Sequence, residues 1–241
     1  MSPPEPSPVR VPGFATQVFQ IAAKDLRIEW KSHEILLTMG YLAVVIVLAF
    51  AFAFVTVGGE RLSPSVTSGI LWVSVFFSGT VALSRTFDRE RDGEAIRALL
   101  LTPIARSAIY LGKLIGVVVL MGIVEVVVVP LTAMFFSAEL GQHLLWTALI
   151  LGLGNLGYAA VGVVFSAALL RSKSRDVLLS ALLFPLVLPV LIAGARATSI
   201  LLDPKSPDLA SAVFWTQFLG ISGGIFVLLG LWAFEPVLSG D

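Results

Sequence analysis

Residues 111–136 read LGKLIGVVVLMGIVEVVVVPLTAMFF, and this stretch decides the fold class of the chain. A transmembrane helix needs about 20 mostly apolar residues, so the stretch is long enough to cross a bilayer. Five more windows have the same character, and the six predicted spans are 35–57, 66–84, 111–136, 144–170, 177–195 and 212–234. The sequence therefore predicts an all-α integral membrane protein whose transmembrane domain covers residues 35–234.

The composition agrees with a membrane protein and excludes several other classes. Of the 241 residues, 57% are hydrophobic and 13% are charged, against an apolar fraction of about 45–50% in soluble domains. The 16 basic and 16 acidic residues cancel, so no global field favours nucleic acid, and lipid is the expected surrounding. The absence of cysteine excludes disulfides and thiolate metal sites.

The basic residues predict the orientation, because Lys and Arg accumulate on the cytoplasmic side. With the N-terminus inside, the inner side holds thirteen of them: Arg10, Lys24, Arg27, Lys31, Arg85, Arg89, Arg91, Arg97, Arg106, Lys113, Arg171, Lys173 and Arg175. The outer side holds three: Arg61, Arg196 and Lys205. Both termini are therefore expected in the cytoplasm.

The segment before the first span divides into two parts. The proline-rich residues 1–13 predict a disordered tail. Residues 14–34 predict an amphipathic helix along the inner interface, because apolar residues recur at helical spacing among charged ones. This helix either serves gating or docking, or is a charged lead-in that sets topology. At the other end, residues 235–241 are expected to form a short tail.

The longest polar connection lies between the second and third spans. Its sequence with the start of the next span, residues 85–113, is RTFDRERDGEAIRALLLTPIARSAIYLGK, and we call residues 85–110 the link. A proline pushes the preceding residue out of the α region, so a helix in the link is expected to end before Pro103. Ser107 is expected to cap the helix that follows.

The link has two interpretations. A charged helix, an apolar patch and a proline break are typical of a docking element for a soluble partner. Alternatively, the link is solvated and its basic residues only enforce orientation. The acidic residues favour docking, because topology alone does not need them. The candidate partner-contacting residues are Arg85, Asp88, Arg89, Glu90, Glu94, Leu99, Leu100, Pro103, Arg106 and Tyr110.

Three segments carry a resemblance to a known family. They are KDLRIEWKSHEIL (24–36), GILWVSVFFSGTVALSRTFDRERDGEAIRALLLTPIARSAIYLGKL (69–114) and EVVVVPLTAMFF (125–136). Together they closely resemble the CcmB family, the membrane subunits of the bacterial cytochrome c maturation system. The resemblance covers nearly the whole chain in length and topology, and it is most specific in residues 85–113.

The resemblance implies an ABC permease with six transmembrane helices, an interfacial helix at residues 14–31 and a cytoplasmic coupling helix in the link. It implies a CcmA-like ATPase, CcmC-like and CcmD-like membrane subunits and the haem chaperone CcmE as partners. In such a complex, ATP hydrolysis releases the haem-loaded chaperone for cytochrome c assembly. The link would then contact the ATPase.

The chain itself is expected to be a non-catalytic subunit. Gly112 and Lys113 are followed by Leu114, so they do not complete a P-loop G-x-x-x-x-G-K-[ST] motif. ATP is therefore expected on the partner, and haem is expected to be handled by the complex rather than held by this chain. His143 could ligate haem iron, but anchoring at the membrane interface beside Trp146 is favoured.

Glu125 lies near the middle of the third span, where a charged side chain is costly. One interpretation is that it relays a conformational change or contacts a partner helix. The other is that it is a hydrogen-bonded carboxyl packed against Asn155, Thr132 or a backbone carbonyl. Glu125 and Asn155 are therefore the candidate polar residues inside the membrane.

Two other functions compete with the maturation role. A homodimeric ABC exporter permease would carry a small hydrophobic substrate, because few ionisable residues lie in the spans to accommodate an ionic one. A scaffold would hold partners together without transport.

Overall fold

The computed structural model describes residues 12–54, 62–88, 104–138, 140–170, 172–203 and 208–239. Within these ranges the chain is helical and contains no strand. The elements are α1 (Phe14–Ser32), α2 (Glu34–Phe54), α3 (Pro64–Arg85), α4 (Arg106–Phe136), a 3-10 helix (Leu140–His143), α5 (Leu144–Ala168), α6 (Arg175–Leu201) and α7 (Leu209–Ser239). Helices α2 to α7 are each long and apolar enough to cross a membrane, which confirms the six predicted spans.

Several helices extend beyond the predicted spans. Helix α4 begins at Arg106, inside the link, so Lys113 is its eighth residue. Ser107 does not cap this helix, because Ala105 occupies the N-cap position and no side chain caps it. Helix α6 continues past Arg196 to Leu201, and α7 reaches Ser239. Hydropathy identifies the apolar part of a helix that lipid covers. It does not detect the polar ends of helices that continue beyond the lipid.

Helix α3 lies at the centre of the bundle and contacts α2, α4, α5 and α6. Its core residue Trp72 is completely buried, and the indole Nε1 donates a 3.0 Å hydrogen bond to Thr198 Oγ1. A Cβ atom at Gly154 or Gly194 would overlap this indole. Small residues on α5 and α6 therefore make room for the tryptophan, as is usual where membrane helices pack closely.

A single residue separates the N-terminal helix from the first span. His33 adopts a left-handed conformation with φ 55° and ends α1. Glu29 of α1 accepts a 2.9 Å hydrogen bond from the backbone N–H of Leu36, so it satisfies one of the free donors in the first turn of α2. The helix predicted for residues 14–34 is thus present, and it packs mainly against α4.

Capping residues fix the starts of two spans. Ser63 Oγ accepts a 3.4 Å hydrogen bond from Val66 N, and Pro64 occupies the first turn of α3. Before α7, the carboxylate of Asp208 accepts bonds from Ser211 Oγ at 2.6 Å and from Ser211 N at 3.2 Å. These hydrogen bonds lower the pKa of Asp208, because they stabilise the ionised carboxylate.

Candidate functional site

The link starts and ends at the same end of the bundle, where α3 ends and α4 begins. We call this the link end. Among the candidate contact residues, Arg85 and Asp88 lie at its first boundary and Arg106 and Tyr110 lie in the first turns of α4. The remaining candidates lie outside the described residues: Arg89, Glu90, Glu94, Leu99, Leu100 and Pro103.

The first boundary of the link is fastened to α6. Arg175 is 2% exposed and its Nη1 donates to Asp88 Oδ1 at 2.8 Å. The same guanidinium lies 3.4 Å from the backbone oxygen of Leu83, which also accepts from Ser166 Oγ at 2.8 Å. The last turn of α3 is thereby tied to both α5 and α6.

Lys113 is another buried cation at the link end. Its side chain is 4% exposed, and Nζ lies 3.0 Å from Asp25 Oδ2 of α1. Nζ also donates to the backbone oxygen of Thr86 at 2.8 Å and lies 5.0 Å from the centre of the Phe87 ring. One buried cation therefore joins α1, α4 and the residues that lead into the link.

The second boundary of the link is fastened to α1. The backbone N–H of Ala105 donates to Gln17 Oε1 at 3.0 Å, and Gln17 Nε2 donates to the oxygen of Pro12 at 2.8 Å. A Cβ at Gly112 would overlap Ile21, so α1 approaches the start of α4 closely. Helix α1 thus contacts the second boundary of the link directly and reaches the first boundary through Lys113.

Two more exposed pairs surround these buried contacts. Arg85 at the end of α3 pairs with Glu34 at the start of α2, with side chains 41% and 63% exposed. Arg106 Nη1 lies 3.7 Å from Glu235 Oε1 near the end of α7. We call the charged residues at this end the link-end network: Asp25, Glu34, Arg85, Asp88, Arg106, Lys113, Arg175 and Glu235.

A pocket of about 60 Å³ opens between α1, α3 and α4. Its charged lining residues are Asp25, Glu29, Arg85 and Lys113. This volume holds a few water molecules, and it is far below the roughly 300 Å³ of ordinary ligand sites. The pocket is therefore a small gap between packed helices, and it cannot accommodate a nucleotide.

Tyr110 occupies a different environment from that of a docking residue. Its side chain is completely buried, its hydroxyl donates to the backbone oxygen of Ala160 at 3.1 Å, and its ring packs 5.4 Å from that of Phe234. A Cβ at Gly230 would overlap the phenol. Tyr110 therefore positions α4 against α5 and α7 and has no surface to offer a soluble partner.

The two intramembrane candidates contact each other. Asn155 Nδ2 donates to Glu125 Oε1 at 2.9 Å, and the two side chains are 1% and 8% exposed. Asn155 Oδ1 and Thr132 Oγ1 have no hydrogen-bond partner among the described residues. The structure thus gives Glu125 a hydrogen-bonded amide neighbour, as one of the two interpretations expects, and does not use Thr132 for this purpose.

Sequence reasoning missed most of the residues that hold the link in place. A lysine inside an apolar window is a signal that could have identified Lys113, which was instead counted with the cytoplasmic charges. Arg175 was counted in the same way, and Gln17 and Asp25 showed no local signal at all. His143 ends the 3-10 helix and is half-buried; in the described part of the chain no three His, Asp or Glu residues group as metal ligands.

Comparisons with known proteins agree with this architecture. The sequence profile of the family described as CcmB protein matches residues 16–224. The chain is also 28% identical over 176 residues to Heme exporter protein B of Haemophilus influenzae, a match that covers 72% of this chain and 77% of that relative. With six membrane-spanning helices and a family match over most of its length, this multi-pass membrane protein belongs to the CcmB family.

Proposed function

We propose that this chain is the membrane subunit of an ATP-driven complex in cytochrome c biogenesis. In this role it couples ATP hydrolysis by a separate CcmA-like ATPase to haem delivery and to release of the haem-loaded chaperone CcmE. Family membership supports the proposal, together with the name of the similar protein, Heme exporter protein B. CcmC-like and CcmD-like subunits complete the proposed complex.

The observation that carries the coupling role is the fastening of the link at both boundaries. The Asp88–Arg175 pair ties the first boundary to α6, and the Ala105–Gln17 hydrogen bond ties the second to α1. Lys113 then connects α1 with the end of α3. A movement of the link by a soluble partner would therefore reach α1, α3 and α6 through short, partly buried contacts.

This arrangement assigns different roles to different residues. Arg89, Glu90 and Glu94, which lie outside the described residues, supply charged contacts to the ATPase in this proposal. Asp88 and Arg106 lie at the boundaries and are already engaged inside the protein, so they transmit movement. Chemistry stays on the partner that binds ATP, and this chain acts by changing the relative positions of its helices.

The distribution of basic residues supports the orientation that the role requires. The link end carries Arg85, Arg106, Lys113 and Arg175, and positive charge is retained in the cytoplasm. We place the link end at the cytoplasmic face of the bacterial inner membrane, where a soluble ATPase can reach it. Both termini then lie in the cytoplasm as well.

Co-purification of the tagged full chain from membranes in mild detergent tests the proposal. An ATPase arriving with haem-handling proteins is the expected result. Charge reversal at Arg89 and Glu90 together should reduce retention of the ATPase about tenfold, because like charges that face each other across an interface cost more than 1 kcal/mol. The thermal midpoint of the purified membrane subunit should stay unchanged.

Lys173→Glu is the matched control, since Lys173 is exposed in another connection on the same side of the protein. It should leave ATPase retention at the level of the unmodified chain. Equal retention by the Arg89 and Glu90 double reversal would overturn the docking role of the link. Loss of retention in both variants would indicate a general surface-charge effect and would also count against a specific site.

An apolar cavity favours one alternative function. It measures about 150 Å³ and lies between α5, α6 and α7, lined by Ala160, Val161, Val164, Phe165, Leu186, Phe226, Leu229, Gly230 and Ala233. An apolar space of this size accommodates a molecule such as benzene and is too small for a porphyrin. A homodimeric exporter of a small hydrophobic substrate would use such a cavity. That function predicts an ATPase co-purifying with a second copy of this chain and without haem-handling proteins.

A further inference from the structure

The outward side of α1 carries an aromatic row beside a basic row. Phe19 is 72% exposed and Trp30 is 68% exposed. They are eleven residues apart, just over three helical turns, so they project from the same side of the helix. Arg27 and Lys31 are also exposed, and their spacing of four residues places them one above the other in the adjoining row.

Both acidic residues of α1 point into the protein. Asp25 contacts Lys113 at 3.0 Å, and Glu29 is 3% exposed and accepts from Leu36 N. Arg27 and Lys31 make no ion pair within the described ranges, whereas Lys24 pairs with Asp25 at 3.2 Å. The exposed side of α1 is therefore cationic and aromatic, and no acid of α1 neutralises it.

The C-terminal end of α1 lies next to the first membrane span. Only His33 separates α1 from the first residue of α2, which is a membrane span. The Trp30 ring packs edge-on against the His33 ring at a centroid distance of 6.2 Å. Trp30 and Lys31 thus lie where the chain enters the membrane, the level at which Trp and basic residues are enriched.

We propose that the Phe19, Trp30, Arg27 and Lys31 side of α1 is a binding surface for anionic phospholipid headgroups. Phe19 and Trp30 enter the region between headgroups and acyl chains. Arg27 and Lys31 bind the lipid phosphates, for which Arg has a bidentate geometry. The inference needs only the membrane-spanning nature of α2 and is independent of the coupling role proposed above.

A lipid is the occupant that fits this surface best. The aromatic and basic rows run side by side along the helix, so one row can face the acyl region while the other faces the phosphates. A soluble acidic protein would satisfy the cations, but it would have to cover both exposed aromatic rings, and Trp30 lies where the chain enters the bilayer. Arg27 and Lys31, which no acid of α1 neutralises, favour anionic over zwitterionic lipid.

Quenching of Trp30 fluorescence by brominated lipids tests the inference in the full chain. The reporter chain carries Trp146→Phe, Trp215→Phe and Trp232→Phe. It keeps Trp30 as the reporter and Trp72, which is buried and hydrogen-bonded. A twin that also carries Trp30→Phe supplies the Trp72 background. Both are reconstituted in vesicles that contain phosphatidylcholine and phosphatidylglycerol, with one or the other lipid brominated.

The expected result is stronger quenching of Trp30 by brominated phosphatidylglycerol than by brominated phosphatidylcholine. The relative association constant for phosphatidylglycerol should fall about fivefold with Arg27→Gln and about thirtyfold with Arg27→Gln and Lys31→Gln together. A second reporter that keeps Trp232 instead of Trp30 is the control. Trp232 is 78% exposed on α7, which contains no Lys or Arg, and the nearby Arg106 is paired with Glu235. Trp232 should therefore show no preference for either lipid, with or without the Arg27 and Lys31 substitutions.

Two results would overturn the inference. If neither lipid quenches Trp30, the surface is covered by protein or faces water. If both lipids quench it equally, lipid is present but the cations do not select the anionic class. An unchanged Trp232 signal in the Arg27 and Lys31 variants shows that the bundle is intact, so a loss of preference at Trp30 cannot be attributed to misfolding.

Discussion

The link end and the middle of the bundle both bury polar side chains, but these side chains have different kinds of partner. At the link end, acids and bases from different helices meet, as Asp25 and Lys113 do at 3.0 Å and Asp88 and Arg175 do at 2.8 Å. In the middle, Glu125 has an amide neighbour, Asn155, and forms no ion pair with any described residue.

The difference follows from the distance to water. Desolvating a charge costs several kcal/mol, and an opposite charge with extra hydrogen bonds offsets that cost. The link end provides such partners because helix ends, backbone oxygens and exposed side chains meet there. The middle of the membrane provides only the polar atoms of neighbouring helices, so a hydrogen bond between side chains is the available solution. The ion pairs of the link end are thus suited to transmitting movement between helices. The Glu125–Asn155 hydrogen bond is suited to holding α4 against α5.

Removing the buried charge of Lys113 should have the largest effect on stability. Lys113→Met leaves Asp25 paired with Lys24 at 3.2 Å and removes the donor of the 2.8 Å hydrogen bond to the Thr86 backbone oxygen. We expect the free energy of unfolding to fall by about 3 kcal/mol, the lower end of the cost of breaking a buried ion pair. Denaturant unfolding of the purified chain in detergent measures this change.

Lys173→Met is the matched substitution at an exposed lysine, and it should change the same free energy by less than about 0.5 kcal/mol. Equal effects of the two variants would mean that Lys113 contributes no more than a surface lysine. In that case its contacts with Asp25 and Thr86 would not distinguish the link end from any solvated connection.

Sequence reasoning located the six spans because each is a continuous run of apolar residues, and hydropathy needs no tertiary information. It placed the start of α4 within two residues, with a cap at Ser107 where the structure has the cap at Ala105. It ended α6 and α7 too early, because the helices continue past the apolar windows to Leu201 and Ser239. The polar residues in these last turns carry no hydropathy signal.

The candidate site was predictable only as a region. The charge density of residues 85–97 marks the link, but the pairings of Lys113 with Asp25 and of Arg175 with Asp88 join residues far apart in sequence. No local pattern encodes them. Glu125 was identifiable because an acid in an apolar run is conspicuous, whereas its partner could be narrowed only to a few polar groups, of which the structure uses Asn155.

The Asp88–Arg175 pair should have a smaller energy than the Lys113 contacts, since Asp88 is 43% exposed. In a double-mutant cycle with Asp88→Asn and Arg175→Gln, we expect a coupling energy of about 1.5 kcal/mol, the lower end for a hydrogen bond to a charged group. The free energies of unfolding of the four chains give this value. A coupling energy near zero would mean that the first boundary of the link is not fastened to α6.

The Glu125–Asn155 hydrogen bond should contribute less again. Hydrogen bonds between membrane helices are worth about 0.6 kcal/mol on average and at most about 1.7 kcal/mol, so Glu125→Leu should destabilise the chain by about 1 kcal/mol. Glu125→Gln should have a smaller effect, because the amide keeps an oxygen that can accept from Asn155 Nδ2. Unfolding in detergent compares the two variants, and a larger loss for Gln than for Leu would contradict this account.

The exposed Glu34–Arg85 pair should have the smallest energy, although it joins two spans at the link end just as the buried pairs do. Side chains that are 63% and 41% exposed retain most of their hydration and are screened by salt. A double-mutant cycle with Glu34→Gln and Arg85→Gln should therefore give a coupling energy of about 0.3 kcal/mol, which decreases further at high salt. A value equal to that of the Asp88–Arg175 pair would show that burial does not rank these contacts. The exposed Glu34–Arg85 pair would then connect the helices as strongly as the buried pairs do. Arg85, at the first boundary of the link, would belong with Lys113 and Arg175 among the residues that transmit movement.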